Sequence, residues 1–239
     1  MAKVCNQPEC PMYNSSYPML GAHITGGNPE IMILTDSPDI RDKHRTYSSD
    51  SAMFLSDKLD KAEFLRDKDV ILATSVLCYC DQNELSESLR AKAVKCCRPY
   101  FLDTVKKFQP KLILSFGGMA LTQATKNKGV KKYQGTFQYS EELKCHVFPM
   151  YAPGYIQRNQ SHEETWVTGF NQIKNFIANG WKEADIESSG RILQEVQSIK
   201  GLFTLAEAED DVKSGRVGSM QESLDRLRES LVNRKNENV

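Results

Sequence analysis

Short apolar runs recur along most of the chain, each closing in a polar or glycine turn. Ile31-Met32-Ile33-Leu34 ends in Thr35-Asp36-Ser37-Pro38. Val70-Ile71-Leu72-Ala73-Thr74-Ser75-Val76-Leu77, Lys111-Leu112-Ile113-Leu114-Ser115-Phe116-Gly117-Gly118 and Cys145-His146-Val147-Phe148-Pro149-Met150 repeat the plan. Unbroken apolar runs of this length predict strands buried on both faces. Between them, Met53, Phe54, Leu55, Leu59, Phe64 and Leu65 fall at helical spacing over 51–65. Stretches 85–108 and 162–178 also read as helices, the first with a break or bend at Pro99. Strands alternating with helices predict an α/β fold, a three-layer αβα domain around a mostly parallel four-stranded sheet. Such sheets bind ligands outside the carboxyl ends of their strands, which would gather Asp36, Ser75, Gly117 and the 151–158 loop. Residues 1–29 are rich in Pro, Asn, Ser and Gly and read as loop.

The pattern changes after Trp181. The predicted division is a domain over 1–181 and a helical tail over 182–239, the tail carrying nine basic and twelve acidic residues. Thr204 with Glu207, and Ser219 with Glu222, have capping-box spacing. Met220, Leu224, Leu227 and Leu231 form an apolar stripe, either docked on the chain's own body or offered to a protein partner. The chain as a whole has 31 basic and 31 acidic residues, so any nucleic-acid binding must come from a local patch. No stretch approaches a membrane span, and MAKVCNQPEC lacks a signal-peptide core, so a cytoplasmic location is expected.

That location makes disulfides unfavourable and gives the seven cysteines another meaning. Cys5 and Cys10, Cys78 and Cys80, and Cys96 and Cys97 form three clusters, with Cys145 apart. Such spacing predicts a metal or iron–sulfur site assembled from distant segments.

Several motifs in order carry a resemblance. They are Cys10-Pro11-Met12-Tyr13, Gly26-Gly27-Asn28-Pro29, the strand into Asp36-Ser37-Pro38, and Thr46-Tyr47 with Ser51-Ala52. Thr74-Ser75-Val76-Leu77 with Cys78-Tyr79-Cys80, Cys97-Arg98-Pro99-Tyr100-Phe101, Gln109-Pro110-Lys111 with Gly117, and Ala152-Pro153-Gly154-Tyr155 with Arg158 follow. Together, over roughly 5–178, they resemble the iron–sulfur uracil-DNA glycosylases of the family 4 and family 5 type. The resemblance implies a 4Fe–4S cluster on Cys5, Cys10, Cys80 and Cys97, with Cys78 as the alternate to Cys80. A zinc site on the same thiols, or no metal, remains open.

In active relatives an acidic residue positions water, an aromatic stacks on the extruded base, an asparagine reads uracil and a histidine steadies the departing base. That division fits a reaction that leaves negative charge on the base and needs it out of the stack. Asp36 can stand for the acid and Tyr47 for the aromatic, but Ser75 replaces the asparagine and Ala152 the histidine. His44, His146 and Tyr151 are substitute donors. Lys126, Lys128, Lys131, Lys132 and Arg158, with Arg41, Lys43 and Arg45, could neutralise phosphates, and Tyr133 and Tyr155 could stack on bases.

Three functions stay open. The first is a DNA-binding, non-catalytic or weakly active relative serving as a replication or repair accessory factor. The second is an active DNA glycosylase taking uracil or another modified base, with Asp36 as its acid. The third is a protein-binding scaffold.

Overall fold

The computed structural model describes residues 5–14, 18–42, 49–62, 65, 69–80 and 85–182. Tyr47, His44, Lys43 and Arg45, and the tail helices with their capping boxes and apolar stripe, lie outside the described residues.

A six-stranded sheet forms the middle layer. Strands β2 (Ile31–Thr35), β3 (Val70–Thr74), β4 (Leu112–Phe116) and β6 (Cys145–Met150) are the four expected apolar runs, paired in parallel in the order β3-β2-β4-β6. Two short antiparallel strands extend the sheet at its edges: β1 (His23–Ile24) beside β3, and β5 (Gln138–Ser140) beside β6. Neither has an apolar run to announce it, because each is partly exposed and only two or three residues long.

Alternation divides the parallel strands between two cores. Ile31, Ile33, Leu112, Leu114, Phe116, Phe148 and Met150 face α1 (Asp50–Ala62), α5 (Pro153–Arg158) and α6 (Glu163–Ala178). Met32, Leu34, Ile71, Ala73, Ile113 and Val147 face α2 (Glu87–Phe108) and α3 (Gly118–Thr125). A short α4 (Val130–Tyr133) precedes β5, and a single 3-10 turn, Gln160–His162, leads into α6. No helix among the described residues is long and apolar enough to cross a membrane.

Pro99 does not break α2. Its ring is exposed, while Cys96, Cys97, Phe101 and Val105 are buried on the opposite side. The hydrogen bond that proline removes is therefore lost on the wet face, where water can replace it. The Gly26-Gly27-Asn28 motif is also structural. It wraps the Asp69 carboxylate, which accepts from the Gly27 and Asn28 amides at 2.8 and 2.9 Å. Gly26 needs its positive φ of 74° there, and a β-carbon would collide with Asp69.

Candidate functional site

The four parallel strands end in one row: Thr35 pairs with Thr74 and Phe116, and Phe116 with Met150. The order of connection reverses at β2: the chain steps from β2 to β3 on one side, then crosses back to β4 on the other. That is the switch point at which open α/β sheets bind ligands. A cleft of ≈ 620 Å³ opens there. Its floor is Thr35, Thr74 and Phe116, and its walls come from the 36–42 segment, the start of α1, Tyr79, Cys80 and the residues 152–158. Ser51 Oγ donates to Gln157 Oε1 at 3.0 Å, tying α1 to α5 across the back.

Asp36 lines this cleft as expected, but its carboxylate is already engaged. Oδ1 accepts from the Ala120 amide at 2.9 Å, in the first turn of α3. The contact supplies the acceptor that Gly117, the residue opening that helix, cannot. Gly117 has φ 110°, and a β-carbon there would collide with the Asp36 carboxylate. The glycine thus exists to let β2's acid approach the helix start, where negative charge is favoured.

Ser75 does not line the cleft. It is fully buried, its hydroxyl donates to the Thr35 carbonyl at 3.0 Å, and its own carbonyl accepts from Gln123 Nε2 at 3.3 Å. The residue that does face the cleft is Thr74, one position earlier. It is 4% exposed, and its Oγ1 has no hydrogen-bond partner among the described residues. The signal that could have found it is the two-residue alternation of β3, which sends Thr74 to the same side as Thr35 and Phe116.

Ala152 does line the cleft, immediately before α5, and offers no side-chain cap or donor. Pro153 opens the helix, where its missing amide costs nothing. None of the described substitute donors fills the place. His146 pairs with Leu112 at the far end of the sheet and packs among Phe137, Tyr139 and Phe176, ring centroids 6.4, 5.1 and 4.9 Å away. Tyr151 is packed against Tyr155 at 4.8 Å and His162 at 5.4 Å; of these three rings only Tyr155 reaches the cleft.

The basic residues divide as well. Arg158 is exposed at the cleft with no ion-pair partner among the described residues, and Lys131 and Lys132 are exposed on α4. Gln134, just after α4, accepts from the Tyr151 amide through Oε1 at 3.1 Å, which sets that helix beside the start of the 151–158 segment. Lys128 is exposed in a smaller neighbouring cavity of ≈ 260 Å³ that shares Asp36. Lys126 is engaged with Glu142, whose carboxyl Arg98 and Lys126 together hold below the usual range. Arg41 is likewise engaged, with Asp39 at 3.0 Å and Asp50 at 2.5 Å. Burial works against ionisation of Asp39, but the Arg41 hydrogen bonds and charge outweigh it and hold the carboxyl below its ordinary value.

Six cysteines converge around the 76–80 segment, and one of them, Cys80, also lines the cleft. Cys78, Cys80 and Cys97 share a buried cluster with Val76, Leu77, Val94 and Met119, and Cys5 packs against it. Tyr100 donates to Asn6, fastening the N-terminal segment to α2 beside Cys97. Burial pushes the Cys10 thiol up to about 12, and the neighbouring Cys96, Cys97 and Cys5 add to the rise. Burial likewise pushes Cys78 and Cys97 up to about 11, with Cys5 and Cys80 contributing to both. These groups are close enough to feel one another's charge. Yet no group of three or more His, Cys, Asp or Glu among the described residues is arranged to hold a single metal ion. Tetrahedral zinc needs four sulfurs about 2.3 Å from one centre, whereas an iron–sulfur cluster spreads its thiolates around a larger body. The donor set is thiols alone, the residue type that both a zinc site and an iron–sulfur cluster take. Cys145 is separate, buried in the core between β6 and α2, and burial alone pushes its thiol up to about 12.

The sequence model of the uracil DNA glycosylase superfamily matches residues 23–176. The chain belongs to this superfamily. The matched span runs from β1 to the last turn of α6 and contains every strand and every cleft residue named above. No curated protein matches the chain.

Proposed function

We propose that this chain is an iron–sulfur member of the superfamily, of the family 4 and family 5 type, that binds DNA without efficient uracil excision. It acts inside the cell as an accessory factor in DNA replication or repair, its tail over 182–239 serving a protein partner. The observation that carries the reading is Ala152: the cleft is intact, but the position from which relatives steady the departing base has no donor. Removing one preorganised donor to a developing anion costs about 2.7–4 kcal/mol of barrier. The engagement of Asp36 with Ala120 and the burial of Ser75 point the same way, since both groups are spent on holding the sheet end to α3.

DNA binding is supported by Arg158 at the cleft and by the exposed lysines of α4 beside the same segment. The 4Fe–4S cluster is assigned to Cys5, Cys10, Cys80 and Cys97, with Cys78 as alternate. Its chemistry when bound is that of a structural staple, joining the N-terminal segment to α2 and to the strand exit that carries Thr74. The competing reading, an active glycosylase, draws on Asp36 still lining the cleft.

Two assays on iron-loaded protein test the proposal. Anisotropy titrations with single-stranded and duplex DNA should show binding that weakens as salt rises. Uracil-containing versions of the same strands should show no multiple-turnover release. Release that Asp36→Asn abolishes would establish the active reading instead.

A further inference from the structure

We propose that Cys78 and Cys80 are exchangeable ligands, either one completing the metal centre that Cys5, Cys10 and Cys97 begin. The inference rests on the reading above that the thiol assembly holds a metal centre, and deepens it. A centre of this kind takes four thiolates, and six cysteines stand around the 76–80 segment. Cys78 and Cys80 are the two that compete for one place. Both are buried, at 5% and 2% exposure, and both pack in the cluster that contains Cys97 and borders Cys5. They stand two residues apart, beyond the end of β3, in a segment that is neither helix nor strand. Side chains two apart leave an extended chain on the same side, so two thiols address one set of partners.

Cys96 and Cys97 are closer in sequence but cannot trade places in this way. They sit on the 22-residue helix α2, where consecutive side chains diverge by about 100°. Cys97 packs with Cys78 and Cys80, whereas Cys96, though buried, is outside that cluster. The helix thus supplies a fixed ligand, and the segment after β3 an adjustable one. The exchange is a trade of one proton. Cys80 gives up its bond to the metal and takes a proton, while Cys78 loses a proton as its own bond forms. No electron moves and no further reactant enters. Cys80 also lines the cleft, so the trade takes place in the cleft wall.

The test uses the full chain, prepared without air, as wild type, Cys78→Ala, Cys80→Ala, the double variant and Cys96→Ala. Iron and zinc per chain are measured by elemental analysis, with absorbance near roughly 400 nm as a second readout for iron. Far-ultraviolet circular dichroism establishes that each chain is folded before its metal is counted. Cys78→Ala and Cys80→Ala should each keep the wild-type metal content, and the double variant should lose it. Cys96→Ala removes a buried thiol of the same size and should keep the metal, which separates loss of a ligand from loss of packing. Loss in only one of the two single variants, to the level of the double variant, gives the place to that thiol alone and overturns the inference. Loss in both overturns it as well, since each thiol is then required. Retention in the double variant does the same, since neither is then a ligand. In these three cases the metal-binding reading stands. A wild-type chain that binds neither iron nor zinc refutes that reading and the inference with it. Zinc in place of iron, with the same pattern across the variants, supports the exchange and refutes the iron–sulfur assignment.

Discussion

The cysteine assembly and the cleft flank the same 74–80 segment, and they bear on function in opposite ways. On one side Cys78, Cys80, Cys97 and Cys5 gather in a buried cluster, with the residue types needed for a cofactor all present. On the other, a cleft of ≈ 620 Å³ opens at the strand ends, with Asp36 bonded to the Ala120 amide and no side-chain donor at Ala152. The contrast separates the two things a catalytic scaffold must do. Holding the sheet end and the N-terminal segment together is a packing task, and those residues remain. Stabilising a transition state is a task of single atoms in place, and on the proposed reading Ala152 leaves one of them missing.

Breaking the better-preserved side should have the largest effect. On the iron–sulfur reading, Cys97→Ser is expected to lose the iron, abolish absorbance near roughly 400 nm and destabilise the domain by more than about 3 kcal/mol. Iron analysis and urea melts check this. Cys145→Ala should retain the iron, because Cys145 lies in a different core. Gly117→Val comes next. It forces a β-branched residue to φ 110° and against Asp36, and should cost about 2–4 kcal/mol in a urea melt while leaving the iron bound.

Legibility in the sequence followed the same division. The four parallel strands, α1, α2, α6 and the gathering of the cysteines could all be read, because buried runs and metal-ligating residue types leave linear traces. The edge strands β1 and β5 could not, since two or three half-exposed residues form no pattern. In the cleft the motif Thr74-Ser75 located the strand end, where Thr74 lines the cleft and Ser75 is buried beneath it. Letter matching is blind to the alternation that turns Thr74 outward and Ser75 under. Asp36 was placed rightly at the cleft, but its bond to Ala120 depends on α3 packing behind it, a tertiary fact.

Restoring the altered side should have a moderate effect. Ala152→His returns a donor to the cleft, and should raise uracil release from a baseline near zero by about tenfold or more. A quench assay on uracil-containing single strands measures it, and no gain would mean that Asp36 and the buried Ser75 are as limiting as Ala152. Asp36→Asn keeps an acceptor for Ala120 but removes the charge from the helix start, and should cost about 1 kcal/mol of stability with iron content unchanged.

The smallest effect lies in Cys145 and alkaline pH. Its folded thiol is pushed up to about 12 from an ordinary 9.0. Above pH 9 the unfolded chain releases this proton while the folded chain keeps it. The stability it contributes is therefore complete below pH 9 and is lost as pH rises toward 12. Cys145→Ala should flatten that limb of the stability curve, measured by urea melts at roughly pH 8.5 to 10.

The central claim is a kept scaffold with a silenced cleft, and it is tested most directly by following uracil release and DNA binding in one iron-loaded preparation. The account predicts salt-dependent binding of uracil-containing single strands with no multiple-turnover release. Turnover of that substrate by the wild-type chain, abolished in Asp36→Asn, would contradict it.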